Sequence, residues 1–224
     1  MCGRFALATE KHILDLLYEL EARSDLELQP RYNIAPTQET LALRLSPNDN
    51  KRELVSLKWG LVPFWADDKS IGSRMINARS ETVAEKPSFR DAFRKRRLLV
   101  PASGFYEWKK EDGGKQPYFI TQKDKHPFSF AGLWERWDKG DSPLETFTIL
   151  TTEPNSLLAE LHNRMPVIIP EKDYARWLDP SAGVETLQQL LIPYPAEELS
   201  AYPVSRLVNS PANDSSELIN PQSK

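Results

Sequence analysis

Cys2 follows a methionine that is normally trimmed when so small a side chain comes next, so the mature chain is expected to begin with a free α-amine beside a thiol. Reference pKa values of about 7.7–8.0 for the amine and about 8.5 for the thiol leave a useful fraction of each nucleophilic near neutrality. An aldehyde can condense with that nitrogen to an imine, and the sulfur can then close on the imine carbon as a five-membered thiazolidine. The closure is intramolecular, with effective molarities of roughly 10⁵–10⁸ M for well-oriented groups, so the ring outlasts a lysine imine. A disordered chain end is the competing reading of the same residue. Gly3 lets a ligand approach the backbone, and the guanidinium of Arg4 can grip a phosphate or carboxylate through two hydrogen bonds.

Acid–base candidates are few. Of three histidines, His12 falls in a helical pattern and His126 in a polar turn before Pro127, leaving His162 by elimination. A lone histidine also serves structural ends. Glu107 lies in Gly104-Phe105-Tyr106-Glu107-Trp108, where aromatic neighbours on a strand would raise a carboxyl pKa toward the range useful for proton transfer. A solvent-facing strand position is the alternative. Asn77, Arg79, Ser80 and Thr82 bring an amide, a guanidinium and two hydroxyls into one short segment suited to holding an anion or orienting a reactive group. Residues 86–97 carry six basic side chains and one acidic one, either a solvated helix face or a strip facing phosphates. Trp59 and Trp65 flank Gly60-Leu61-Val62-Pro63-Phe64, and tryptophans there can stack unpaired bases, at roughly 1–3 kcal/mol each, or fill a core.

The elements that must position these groups can be read from periodicity. Ile13, Leu14, Leu16, Leu17 and Leu20 share one broad side of a helix expected over 9–22. Leu41, Leu43, Leu45 and Val55, Leu57, Trp59 alternate with polar residues around a turn at 46–50, the pattern of two half-buried strands. Further strands are expected at 98–102, 105–108, 118–121, 128–134, 147–152 and 167–169, and helices at 88–97, 155–161, 171–178 and 184–191. Strand and helix do not alternate regularly enough for a doubly wound parallel sheet. The expected class is α+β, with a mainly antiparallel, barrel-like sheet and flanking helices.

Composition narrows the function classes. The 224 residues are 40% apolar and 27% charged, an ordinary globular balance large enough for one sizeable domain. That domain is expected over 1–210, with a polar, loose tail at 211–224. No apolar run reaches the roughly 18–20 residues of a membrane span, and no secretory signal is visible, so a cytoplasmic, non-membrane protein is expected. The net charge of −3 conceals 24 basic against 22 acidic side chains in residues 1–149 and 5 against 10 in 150–224. Indiscriminate coating of nucleic acid is thereby disfavoured, and any such binding must come from a local patch. One cysteine rules out an intramolecular disulfide and a cysteine-based zinc cage; no metal or cofactor is expected.

Six motifs in order, Cys2-Gly3-Arg4-Phe5, Tyr32-Asn33-Ile34-Ala35-Pro36-Thr37, Trp59-Gly60-Leu61-Val62-Pro63, Ile76-Asn77-Ala78-Arg79-Ser80-Glu81-Thr82, Gly104-Phe105-Tyr106-Glu107-Trp108 and His162-Asn163-Arg164-Met165-Pro166, resemble the SOS response-associated peptidase (SRAP) family over residues 2 to about 208. The resemblance implies a sensor of abasic sites in single-stranded DNA that traps the ring-opened sugar on Cys2 as a thiazolidine. It implies Glu107 as the acid or base for sugar opening and imine formation, Asn77 as the residue orienting Cys2, and His162 as the group on the sugar oxygen. Arg4, Arg79 and Arg164 resemble its phosphate clamps, and Trp59 and Trp65 lie near its base-stacking loop. Leu98 and Ser103 stand where the family often has cysteine and aspartate. The family name implies peptidase activity by the same constellation, and a monomer located at the nucleoid when on DNA is expected. An N-terminal-nucleophile amidohydrolase and a non-covalent single-strand-binding module remain as rivals.

Overall fold

The structure, a computed structural model, describes residues 2–20 and 28–222. Its strands are β1 (Phe5–Leu7), β2 (Arg31–Ile34), β3 (Glu39–Leu45), β4 (Arg52–Trp59), β5 (Asn77–Arg79), β6 (Arg97–Ala102), β7 (Gly104–Glu111), β8 (Gly114–Gln122), β9 (Phe128–Trp137), β10 (Leu144–Thr152), β11 (Met165–Pro166), β12 (Ile168–Ile169) and β13 (Leu199–Pro203). Residues 46–50 turn between β3 and β4 as expected, with Asn50 at φ 58°, a conformation its short polar side chain tolerates. Five strands, β1, β2, β5, β11 and β13, escape the periodicity because they have five residues or fewer, too few for alternation to register.

β10 is the element that closes the architecture. It pairs antiparallel with β9, Phe147 opposite Trp134, and parallel with β4, Phe147 opposite Trp59. Since β4, β3, β6 and β9 follow one another by antiparallel pairing, five strands form a closed barrel without free edges. A second, antiparallel sheet runs β13-β8-β7-β1-β2. The α+β, barrel-like architecture holds, with parallel pairings at β10–β4 and β10–β5 in an otherwise antiparallel scheme.

Aromatic side chains join the two sheets. The Phe5 ring meets Trp59 at 5.3 Å and Phe130 at 5.7 Å between centroids, and Phe105 meets Phe130 at 5.8 Å, all edge-on. Such pairs contribute roughly 0.5–1.5 kcal/mol each beyond their buried area. Phe5 thus fixes the chain three residues after Cys2. Gly104 permits the close approach of β7 and β8, because a Cβ there would lie 2.2 Å from Cζ of Phe119. Gly60, at φ +128°, lets the loop after β4 touch residue 72, whose carbonyl oxygen would be 2.7 Å from an added Cβ.

The helices are shorter than the periodicity suggests: α1 (Lys11–Leu17), α2 (Arg90–Lys95), α3 (Ser156–Ala159), α4 (Tyr174–Leu178) and α5 (Val184–Gln188). The end of the helix expected over 9–22 falls partly outside the described residues. The chain after Ser210, polar in composition, lies against the second sheet: Leu218 is buried, Asp214 accepts from Nε of Arg31 at 2.5 Å, and the Tyr202 hydroxyl donates to the Ile219 carbonyl at 2.9 Å.

Candidate functional site

Register carries Cys2 to Glu107. In the β1–β7 pair Phe5 faces Phe105, and the Tyr106 N–H donates to the Arg4 carbonyl at 2.9 Å, so the antiparallel continuation brings residues 2 and 3 alongside Glu107. Cys2 is fully buried and Glu107 is 2% exposed. Burial pushes the Cys2 thiol far up, the neighbouring Glu107 charge adds to the rise, and the Arg4 backbone N–H on the sulfur works against it. Glu107 is also raised above the ordinary carboxyl range, chiefly by burial. Two acidic groups that both resist ionisation share one buried site.

β10 supplies the rest by carrying a short strand on each side of its C-terminal half. β5 runs parallel to it, Ile149 opposite Asn77 and Thr151 opposite Arg79, while β11 pairs antiparallel, with Thr152 opposite Met165. Asn77 then reaches the N-terminal segment, its Nδ2 donating to the Cys2 carbonyl at 2.9 Å. Its Oδ1 is buried and accepts no hydrogen bond from the described residues. His162, just before β11, lines a cavity of about 340 Å³ with Glu107, Trp108, Lys115 and Asn209. The Arg164 N–H donates to Nδ1 of His162 at 3.0 Å, which leaves Nε2 as the proton-bearing nitrogen of a neutral ring. Desolvation first, then nearby positive charge, holds its pKa below the usual histidine value.

The three arginines are in different states. Arg164 forms a bidentate pair with Glu81, at 2.5 and 2.9 Å, and also donates to the Thr151 carbonyl at 2.6 Å. Arg4 donates through Nη1 to Asn33 Oδ1 and to the Val208 carbonyl, both at 2.7 Å, and lies 6.0 Å from the Trp108 ring centroid. Arg79 is exposed. Trp65 is 43% exposed beside Phe64 at 49%. Trp59 differs from the stacking expectation: it is fully buried, with its indole N–H donating to the Ile76 carbonyl at 2.8 Å, so it is a core residue with no face for a base. Arg97 likewise leaves the basic strip, because it is buried and donates to the carbonyls of Phe93, Arg94, Trp177 and Asp179. Arg90 and Arg94 are exposed.

Residues that motif reading passed over complete the surroundings. Trp108 and Asn209 form one wall, joined by the indole N–H donating to Asn209 Oδ1 at 2.8 Å. Asn33 is fully buried and links Arg4 to the chain after β13, its Nδ2 lying 3.0 Å from the Ser210 carbonyl and 2.6 Å from that of Asn213. Only its place inside Tyr32-Asn33-Ile34-Ala35-Pro36 hinted at it. Lys115 belongs to the β7–β8 hairpin, and its place beside Glu107 and His162 has no signature in linear spacing. Leu98 is buried in the barrel, in keeping with a packing position.

A barrel with an appended antiparallel sheet, enclosing a buried cysteine, a buried carboxyl and a half-buried neutral histidine, defines a cysteine-centred site with its own acid–base groups. The chain belongs to the SOS response associated peptidase (SRAP) family, whose model matches residues 1–211. It is 46% identical over 223 residues to the abasic site processing protein YoqW of Bacillus subtilis (strain 168), covering 98% of this chain and 99% of that one. Identity to the abasic site processing protein YedK of Escherichia coli (strain K12) is 34%, covering 99% of this chain and 100% of that one. A crystal structure of a Bacteroides thetaiotaomicron protein superposes with a TM-score of 0.86 at 29% identity, covering 99% of this chain and all of that one.

Proposed function

We propose that this protein recognises abasic sites in single-stranded DNA and forms a covalent thiazolidine with the lesion through Cys2. Loss of Met1 frees the α-amine. The amine adds to C1 of the ring-opened sugar, and expulsion of that oxygen as water gives the imine; the thiol then adds to the same carbon while its proton passes to nitrogen. One water is lost overall. A thiol held protonated by burial and by a nearby carboxylate favours this order, with nitrogen attacking first and sulfur closing the ring. Glu107, with its raised proton affinity, relays protons between the sugar, the nitrogen and the sulfur. His162, neutral and protonated on Nε2, donates to the sugar oxygen as the ring opens. Asn77 orients Cys2 through its carbonyl, and the exposed Arg79 and Trp65 receive the strand's phosphates and bases.

The observation that carries this reading is the meeting of Cys2, Asn77 and Glu107, brought from three separate strands' surroundings to one buried point. The relatives named for abasic site processing support the substrate class. Incubation of purified protein with a single strand containing one abasic site should give a heat-stable shifted band, absent with Cys2→Ala. No band from wild type, together with ammonia released from glutamine, would instead favour an amidohydrolase. Mass spectrometry of the mature N-terminus checks the premise that Met1 has gone. The same cysteine and carboxyl suit cleavage of the Met1–Cys2 bond, in keeping with the peptidase in the family's description; Glu107→Gln retaining Met1 would be its mark.

A further inference from the structure

We propose that Lys115 is a substrate-contacting residue of this site, its ammonium holding a phosphate of the single strand at the mouth of the cavity that Glu107 and His162 line. The inference rests on the reading above and adds to it a contact from an element that no motif marks.

Four observations meet at this side chain. Lys115 lines the cavity of about 340 Å³ together with Glu107, Trp108, His162 and Asn209, so any sugar reaching Glu107 through that mouth passes it. It lies directly opposite Lys110 across the β7–β8 hairpin, with Lys109 next in the chain, so two like charges face each other on one face of a strand pair. Directly opposed like charges destabilise an antiparallel pair, and an anion bound between them relieves the repulsion. Arg4 and Arg164 each have a guanidinium already hydrogen-bonded within the protein, the first to Asn33 and Val208, the second to Glu81 and Thr151. Lys115 is exposed and bears a flexible four-carbon stem, the form in which a cation follows a phosphate as a strand settles.

Its charge is also felt by the acid–base groups. Lys115 bears on both Glu107 and His162, with Cys2 beside the first and Arg164 beside the second. A positive charge lowers the proton affinity of both, so removing it should raise both, whereas a phosphate neutralising it on binding acts in the same direction.

The test measures binding and crosslinking of a single strand with one abasic site, from 50 to 200 mM salt, for wild type, Lys115→Gln, Lys115→Arg and Lys172→Gln, the last an exposed lysine on the 171–173 turn. Loss of one phosphate contact lowers the slope of log affinity against log salt by about 0.7 for single strands. The expected result is that drop for Lys115→Gln alone, together with a crosslinking pH profile moved to higher pH, and recovery of both in Lys115→Arg. Crosslinking by wild type with an unchanged slope in Lys115→Gln overturns this inference and leaves the reading of Cys2 standing. Failure of wild type to crosslink at all overturns both.

Discussion

At the residue scale, the dominant fact is a carboxyl almost wholly buried at the edge of a cavity. Glu107 keeps its proton to higher pH in the folded chain than in the unfolded one, because burial disfavours its charged form. Its contribution to stability is therefore fullest in acid, below the ordinary carboxyl pKa, and falls as pH rises through the raised value. Glu107→Gln keeps the shape and removes the ionisation, so it should raise the melting temperature by a few °C at pH 8, with the gain shrinking toward pH 4. The same variant should slow crosslinking to abasic single strands while leaving affinity for intact strands unchanged. An equal melting temperature at pH 8 would contradict the burial argument, and equal crosslinking rates the proton-transfer role. Stability and the proposed proton transfer oppose each other at this position, as expected of a functional group held in a buried site.

At the element scale, β10 organises the site because its C-terminal half is flanked by β5 and β11, placing Asn77 and Arg79 on one side and Arg164, just before β11, on the other. Its Thr151 carbonyl accepts both the Ser80 N–H, at 2.9 Å, and Nη2 of Arg164. β5 and β11 are three and two residues long, and no periodicity shows itself over such lengths, so neither could be read from the sequence although the motifs containing them could. The chain after β13 enters through Asn33, the fully buried amide that ties Arg4 to residues 208–213. Asn33→Ala would leave the Arg4 guanidinium and the carbonyls beneath it short of partners, at a cost of about 1–3 kcal/mol. Urea unfolding reads that loss directly. A midpoint equal to wild type would show that water replaces the amide without penalty.

At the scale of the whole molecule, the slightly basic residues 1–149 and the acidic residues 150–224 are folded into one body, so the proposed DNA contact depends on which cations remain exposed. Arg79 is exposed, and Arg79→Ala should lower the salt slope of single-strand binding by about 0.7. A slope identical to wild type would remove Arg79 from the strand's path. The last described residues belong to the same body: Leu218 is 1% exposed and packs with Tyr106, Phe119 and Val208. Leu218→Ala should cost roughly 2–5 kcal/mol in urea unfolding, the range for a buried leucine reduced to alanine. A cost under about 0.5 kcal/mol would mean that the segment adds nothing to the fold.

The candidate groups for the proposed chemistry are legible in the sequence alone. A cysteine at position 2, one histidine outside helix and turn, a carboxyl among aromatic residues and the long alternating strands are local properties, set by residue type and near neighbours. Tertiary structure decided which of those groups meet and which are already engaged: Trp59 buried in the barrel, Arg97 bonded to carbonyls, Arg164 paired with Glu81, and Lys115 brought to a cavity with His162, 47 positions away. Burial and partnership are made by strands distant in sequence, and only the closed sheet brings those strands together.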